Sequence, residues 1–316
     1  MLLVEINAED AIKKLLEGVI PERSDEMEAY LSKYAPHFSL CDDRPGFVVE
    51  AGAFGILKFT HRTMLQMWLL GFAAKQAMHS YSFLIAYLLK SNAKFNANLL
   101  RNISDQDEVD EKYNKLIKSV YALAEVPDIE QFSWPSGIPH PENGKPTDVE
   151  DAAVFDLNCM ATAYLFLHEM KHIAFSLDGN CPENPIQEEL ECDRFARNLM
   201  IDNLAKYSEE SGYPLDRLKS KRAMSMALGS FFMLIITPKE LWGSSQTHPS
   251  MAERVNVIVA ELHIPDNDKF WIYLASIFLS QLRYIGKMPN EIEFTNLKEL
   301  CLALIERANN ASNKAN

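Results

Sequence analysis

Between Pro127 and Thr147 the chain carries five prolines and two glycines, in PDIEQFSWPSGIPHPENGKPT. That composition cannot sustain a helix and marks a long loop. The main boundary is placed there, giving an N-terminal region 1–126, the loop 127–147 and a C-terminal region 148–316. Beyond the loop, apolar positions recur with helical spacing over about 150–177, 186–208, 214–237, 248–263, 267–285 and 294–309. Before it, residues 3–35 read as a helical pair broken at Pro21 and Pro36, and further helices are expected over 61–95 and 107–124. One stretch has a different period. Phe47-Val48-Val49-Glu50 and Phe54-Gly55-Ile56-Leu57-Lys58-Phe59, separated by Ala-Gly-Ala, read as a hairpin of two short strands near 47–59. The expected fold class is mainly α with a small β-sheet, an α+β protein.

A chain of 316 residues, 47% of them hydrophobic, is long enough to bury a substantial core. Its formal charge of −13 opposes attraction to nucleic acid or to an anionic membrane surface, which carry the same sign. The five cysteines are scattered, odd in number and without CxxC spacing, which indicates neither a disulfide framework nor a cysteine zinc site. A reducing cytoplasm fits that usage, and the acidic N-terminus lacks the pattern of a secretory signal. Met64–Ala74 and Ala223–Thr237 fall short of the roughly 20 apolar residues that span a bilayer, so buried helices are expected rather than a transmembrane segment.

The expected helix at 150–177 contains Leu165-Phe166-Leu167-His168-Glu169-Met170-Lys171-His172, an HExxH pattern inside an apolar run. Residues four apart share a helix face about 5–6 Å apart at Cβ, so both imidazoles reach one zinc ion at roughly 2.0–2.1 Å. Glu169 lies about 100° round the helix from His168, beside the pair. From there it can take a proton from the attacking water without occupying a coordination position. A hydrolytic zinc needs a third protein ligand and an open position. The next helix offers Gln187-Glu188-Glu189-Leu190-Glu191-Cys192-Asp193. Glu189 and Asp193 are four apart and share a face, so Glu189 is the expected third ligand and Asp193 the partner of a ligand histidine. Glu188 and Glu191 are expected to point elsewhere, and Cys192 is read as helix packing rather than a ligand or nucleophile.

HExxH followed by ExxxD on the next helix resembles the gluzincin metallopeptidases, in which the first residue of the second motif binds zinc and the aspartate supports a ligand. Thr247-His248-Pro249-Ser250 with Arg254 resembles the HPxxxxR segment of membrane-embedded CaaX-processing and heat-shock zinc peptidases. Those enzymes carry membrane-spanning helices that are not expected here. In motif order, spacing and size the chain resembles the Lit family of phage-exclusion peptidases. That resemblance implies a cytoplasmic zinc peptidase that cleaves elongation factor Tu once a phage capsid peptide engages the complex. It covers the motif-bearing half, since residues 1–150 cannot be matched residue by residue.

Peptide hydrolysis on this reading uses Glu169 to carry the water proton to the leaving amine, with His248 or Arg254 as candidates to stabilise the oxyanion. The plainer alternatives are a helix-start residue for His248 and a structural ion pair for Arg254. His37, His61, His79, His140 and His263 have no partners at metal spacing and are assigned no role. The hairpin is either an edge for an extended peptide or a cover for the helical core, and the proline-rich loop is either a lid or an inert connection. Two other functions remain open from sequence: a metal-binding interaction protein without catalysis, and a metallohydrolase of a non-peptide bond.

Overall fold

Helical spacing becomes helix over most of the chain. The computed structural model describes residues 8–100, 105–236 and 248–312; residues 3–7 of the expected first helix, Thr237, Thr247 and the tail from 313 lie outside them. The N-terminal pair is α1 (Ala8–Val19) and α2 (Ser24–Tyr34), followed by β1 (His37–Cys41), β2 (Val49–Ala51), β3 (Ile56–Thr60) and the long α3 (His61–Lys90). Next come β4 (Phe95–Asn96), α4 (Ala97–Leu100), α5 (Gln106–Glu125), α6 (Val149–Asp178), α7 (Pro185–Ile201) and α8 (Leu204–Ser211). The chain continues through α9 (Leu215–Ile236), α10 (Met251–Leu262), α11 (Lys269–Tyr284), β5 (Glu291–Ile292) and α12 (Leu297–Ser312). The class is mainly α with a small mixed sheet, as expected.

Several details differ from the sequence expectation. The helix expected over 186–208 is two, because the chain breaks at Asp202-Asn203, residue types whose side chains compete for the backbone and favour helix ends. The hairpin forms two residues later than expected, and a third strand joins it. β3 is central, parallel to β1 (His37 opposite Ile56) and antiparallel to β2 (Ala51 opposite Leu57). A second, two-stranded pairing, β4 with β5, was also not expected. Inward side chains of the first sheet rest on α6, with the rings of Phe38 and Phe59 edge-on to Phe166 at 6.1 and 5.3 Å. Between β2 and β3 a 3-10 turn at Ala53–Gly55 holds Phe54 at φ 59°, ψ 32°. This left-handed conformation costs an L-residue roughly 1–2 kcal/mol. The Phe54 side chain is 94% exposed, so burial does not offset that cost.

The centre of the molecule is α6, flanked by α3, α7 and α9 and overlain by the sheet. Ala163 to His168 are buried consecutively, as befits a helix apolar on nearly every side. Its start is fixed by Asp148, whose carboxylate accepts from the backbone N–H of Glu150 and Asp151, each at 3.0 Å. One apolar core runs from Ile12 to Ala308 and includes residues from both sides of the proline-rich loop. That loop carries two 3-10 turns and is pinned to α3 where the Trp68 indole donates to Pro139 O at 2.7 Å. No helix among the described residues is long and apolar enough to cross a membrane.

Helices α3 and α6 meet closely at Gly71. A Cβ there would stand 2.1 Å from Oδ1 of the buried Asn158, whose Nδ2 donates to Trp68 O at 3.3 Å. Gly71→Ala therefore displaces the Asn158 side chain and its bond to Trp68, and is expected to cost about 1–3 kcal/mol. Urea unfolding reads the loss, and an unchanged midpoint would contradict this packing.

Candidate active site

Two helix starts and one helix interior build the site. α7 begins where Asn184 Oδ1 accepts from Ile186 N–H at 2.9 Å, with Pro185 in the first helical position. Glu188 then falls in the first turn of α7 and Glu189 follows it, near the end of the helix that favours negative charge. α10 begins with a reciprocal cap: Ser250 Oγ accepts from Glu253 N–H at 3.2 Å, and Glu253 accepts from Ser250 N–H at 2.6 Å. This places Arg254 in the first turns of α10 and leaves His248 just ahead of the helix.

His168 and His172, one turn apart on α6, are held from behind by carboxylates. Nδ1 of His168 lies 2.8 Å from Asp193 Oδ1, which also accepts from the Tyr164 hydroxyl at 3.2 Å. Nδ1 of His172 lies 2.6 Å from Glu188 Oε1. A carboxylate can only accept, so each ring donates from Nδ1 and turns its Nε2 away from the carboxylate, toward the other histidine. Those two Nε2 atoms converge to 3.2 Å. The Glu189 carboxylate faces both, with Oε2 3.4 Å from His168 Nε2 and Oε1 3.5 Å from His172 Nε2. Four ligands at about 2.05 Å around a tetrahedral zinc stand about 3.3–3.4 Å apart, close to the spacing of the two ring nitrogens and to the distance from each to its nearer Glu189 oxygen, so the residues present suit such an ion.

Charge is balanced within the cluster. Burial disfavours the His168 imidazolium, but the adjoining Asp193 and Glu189 carboxylates outweigh it and push the pKa up to about 10. Burial likewise disfavours ionised Asp193 and Glu189, yet the His168 and Arg254 cations hold both below the usual carboxylate range. Arg254 is itself buried. Its guanidinium pairs with Glu189 through Nη2 and reaches Asp193 Oδ2 from Nε at 3.4 Å. His248 is exposed, with Nε2 3.6 Å from Glu189 Oε1.

Glu169 turns the other way, toward the sheet. Its Oε2 accepts from the backbone N–H of Ala51 in β2 at 2.7 Å. In an antiparallel pair alternate residues direct their backbone groups to the partner. Gly52 N–H bonds Ile56 O at 2.6 Å, so Ala51 points away from β3, over α6. Ala51, His168, Glu169, His172, Glu189 and His248 all line one cleft of about 530 Å³. A larger cavity of about 630 Å³, beside Phe155, Cys159 and Met160 near the start of α6, contains none of them. No residue of the proline-rich loop lines the cleft.

All seven residues singled out by sequence, His168, Glu169, His172, Glu189, Asp193, His248 and Arg254, are thus in one neighbourhood. Two expectations about α7 change. Glu188, expected to point elsewhere, bonds His172, because the first turn of α7 spans both histidines; Glu191 does turn away, to Arg194 and Gln187. Cys192, read as packing alone, is fully buried but brings its sulfur within 4.8 Å of ligand nitrogens of His168 and His172. The backbone donor from β2 was not legible in the motif at all.

Residues 57–274, well over half of the chain, match the family described as Peptidase U49. The chain belongs to the Peptidase U49 family. No curated protein and no solved structure gave a match. The U49 match runs from within β3 into the first part of α11 and therefore takes in every side chain of the cluster, while β2 lies just ahead of it. Membership in U49 supports peptidase activity and, with it, a protein substrate.

Proposed function

We propose that this U49 member is a zinc-dependent endopeptidase of gluzincin type. His168, His172 and Glu189 are the metal ligands in this reading, and Glu169 is the general base. The observation that carries it is the convergence of three donors at tetrahedral spacing, with both ring Nδ1 atoms already committed to carboxylates. Nitrogen and oxygen donors of this kind suit zinc. Glu189 is preferred to Cys192 as third ligand because Glu189 lines the cleft, whereas Cys192 is buried in the core behind it.

A zinc ion held there supplies Lewis acidity, polarising the scissile carbonyl and acidifying water. Glu169, on the cleft wall, takes the water proton and delivers it to the leaving amine. The outward backbone groups of Val49 and the outward carbonyl of Ala51, whose N–H is taken by Glu169, offer a strand edge along which an extended substrate aligns. His248, exposed at the cleft, is assigned to the developing oxyanion. Arg254 is enclosed by Glu189 and Asp193, so we assign it to holding those carboxylates instead of to the oxyanion. The finer identity rests on the Lit-family resemblance: a cytoplasmic enzyme of phage exclusion with elongation factor Tu as substrate and a phage capsid peptide as activator.

Incubation with purified elongation factor Tu, with and without the capsid peptide, tests this. Cleavage that stops with 1,10-phenanthroline and returns with zinc is expected; cleavage that persists in the chelator would contradict a metal mechanism. The ligand assignment has its own test in chelator competition. Glu188→Ala releases His172 from its orienting bond and is expected to weaken zinc binding about 10–100-fold. Cys192→Ala should leave affinity within a few-fold, and a larger loss there than in Glu189→Ala would exchange their roles.

A further inference from the structure

We propose that Phe54 is an apolar anchor for the substrate polypeptide at the mouth of the cleft, a specificity-determining contact that rests on the peptidase reading above. Three observations converge on it. The first is location. Phe54 sits at the tip of the β2–β3 hairpin between Ala53, which lines the cleft, and Gly55, which packs against the cleft-lining Ile173 of α6, a Cβ there lying 3.8 Å from Ile173 Cγ2. Leu177, one turn beyond Ile173 on the same face of α6, is a second exposed apolar side chain.

The second is conformation. Phe54 holds left-handed backbone angles that glycine or asparagine adopts at far lower cost, and its ring is 94% exposed. A large aromatic that is both strained and unburied adds nothing to folding stability, and such outliers cluster where ligands are gripped. The third is continuity. The edge of β2 turned away from β3, with Val49 and the Ala51 carbonyl directed outward, leads straight into the turn that carries Phe54. A polypeptide paired along that edge passes the tip, and alternate side chains of a strand project to one face, so one of them meets the ring. The occupant is therefore the substrate chain itself, gripped by an apolar side chain near the bond to be cut.

The probe is fluorescein-labelled, reduced and carboxymethylated α-lactalbumin, a permanently unfolded polypeptide, titrated against the zinc-loaded Glu169→Gln protein. Adding Phe54→Asn is expected to weaken binding about tenfold or more, as for loss of a ring that becomes buried on binding. Phe54→Tyr should retain it. The melting temperature of Phe54→Asn should rise by roughly 2 °C as the backbone strain is relieved, which separates a lost contact from a damaged fold. Equal binding by Phe54→Asn, or no binding of the probe by the parent protein, overturns the proposal. So does a dimer, read by sedimentation, that Phe54→Asn dissolves while probe binding is unchanged, since the tip would then serve a second copy. Cleavage of the same probe by the wild-type enzyme reads the peptidase assignment separately: cleavage with unchanged KM in Phe54→Asn removes the anchor and keeps the peptidase. Phe54-dependent binding supports the anchor whether or not the probe is cut.

Discussion

Glu169→Gln is expected to lower kcat about 100- to 10,000-fold while zinc remains bound at wild-type stoichiometry. The substitution preserves size and keeps a carbonyl oxygen that can accept from Ala51 N–H, so the 2.7 Å contact to β2 and the cleft wall survive. What disappears is basicity. Glu169 is not among the groups that converge on the proposed ion, whose three donors come from His168, His172 and Glu189. Loss of metal in this variant would mean that Glu169 is a ligand, and retention of full activity would mean that another group carries the proton. Paired measurement of turnover and metal content distinguishes all three cases.

The second large effect is expected at Arg254. In the metal-free protein its guanidinium compensates two carboxylates that are withdrawn from water, Glu189 and Asp193. Removing one partner of a buried ion pair leaves uncompensated charge, at a cost of about 3–5 kcal/mol. Arg254→Met, which keeps most of the apolar stem, should lower metal-free stability by that amount in urea unfolding. A bound dication beside Glu189 restores positive charge to the cluster, so the deficit should shrink when zinc is present. Equal destabilisation with and without zinc would contradict the view that Arg254 and the ion share the same carboxylates. A loss confined to kcat, with stability intact, would return Arg254 to the oxyanion.

The parts of this site that were legible in sequence are those fixed by spacing within one helix. His168 and His172 share a face because they are four residues apart, and Glu189 and Asp193 do so for the same reason. Burial of α6 followed from its apolar neighbours. What spacing cannot convey is how two helices cross. Glu188 reaches His172 only because the first turn of α7 lies over both histidines, and nothing within the α7 sequence separates it from the outward-facing Glu191. The contact between Glu169 and Ala51 joins residues 118 apart in sequence. β1 was missed because His37–Cys41 is short, lacks β-branched residues and gains its strand form from pairing with β3. The break at Asp202-Asn203 carried a local signal, two residues that favour helix ends, inside an otherwise continuous apolar pattern.

Metal analysis of the purified protein after zinc reconstitution, wild type beside His168→Ala, tests the central claim most directly. One zinc per wild-type chain and its loss in His168→Ala is the predicted result, because removal of one of three converging donors leaves too few to hold the ion. No zinc in the wild type, or equal retention by His168→Ala, would contradict the assignment of this cluster as a metal centre.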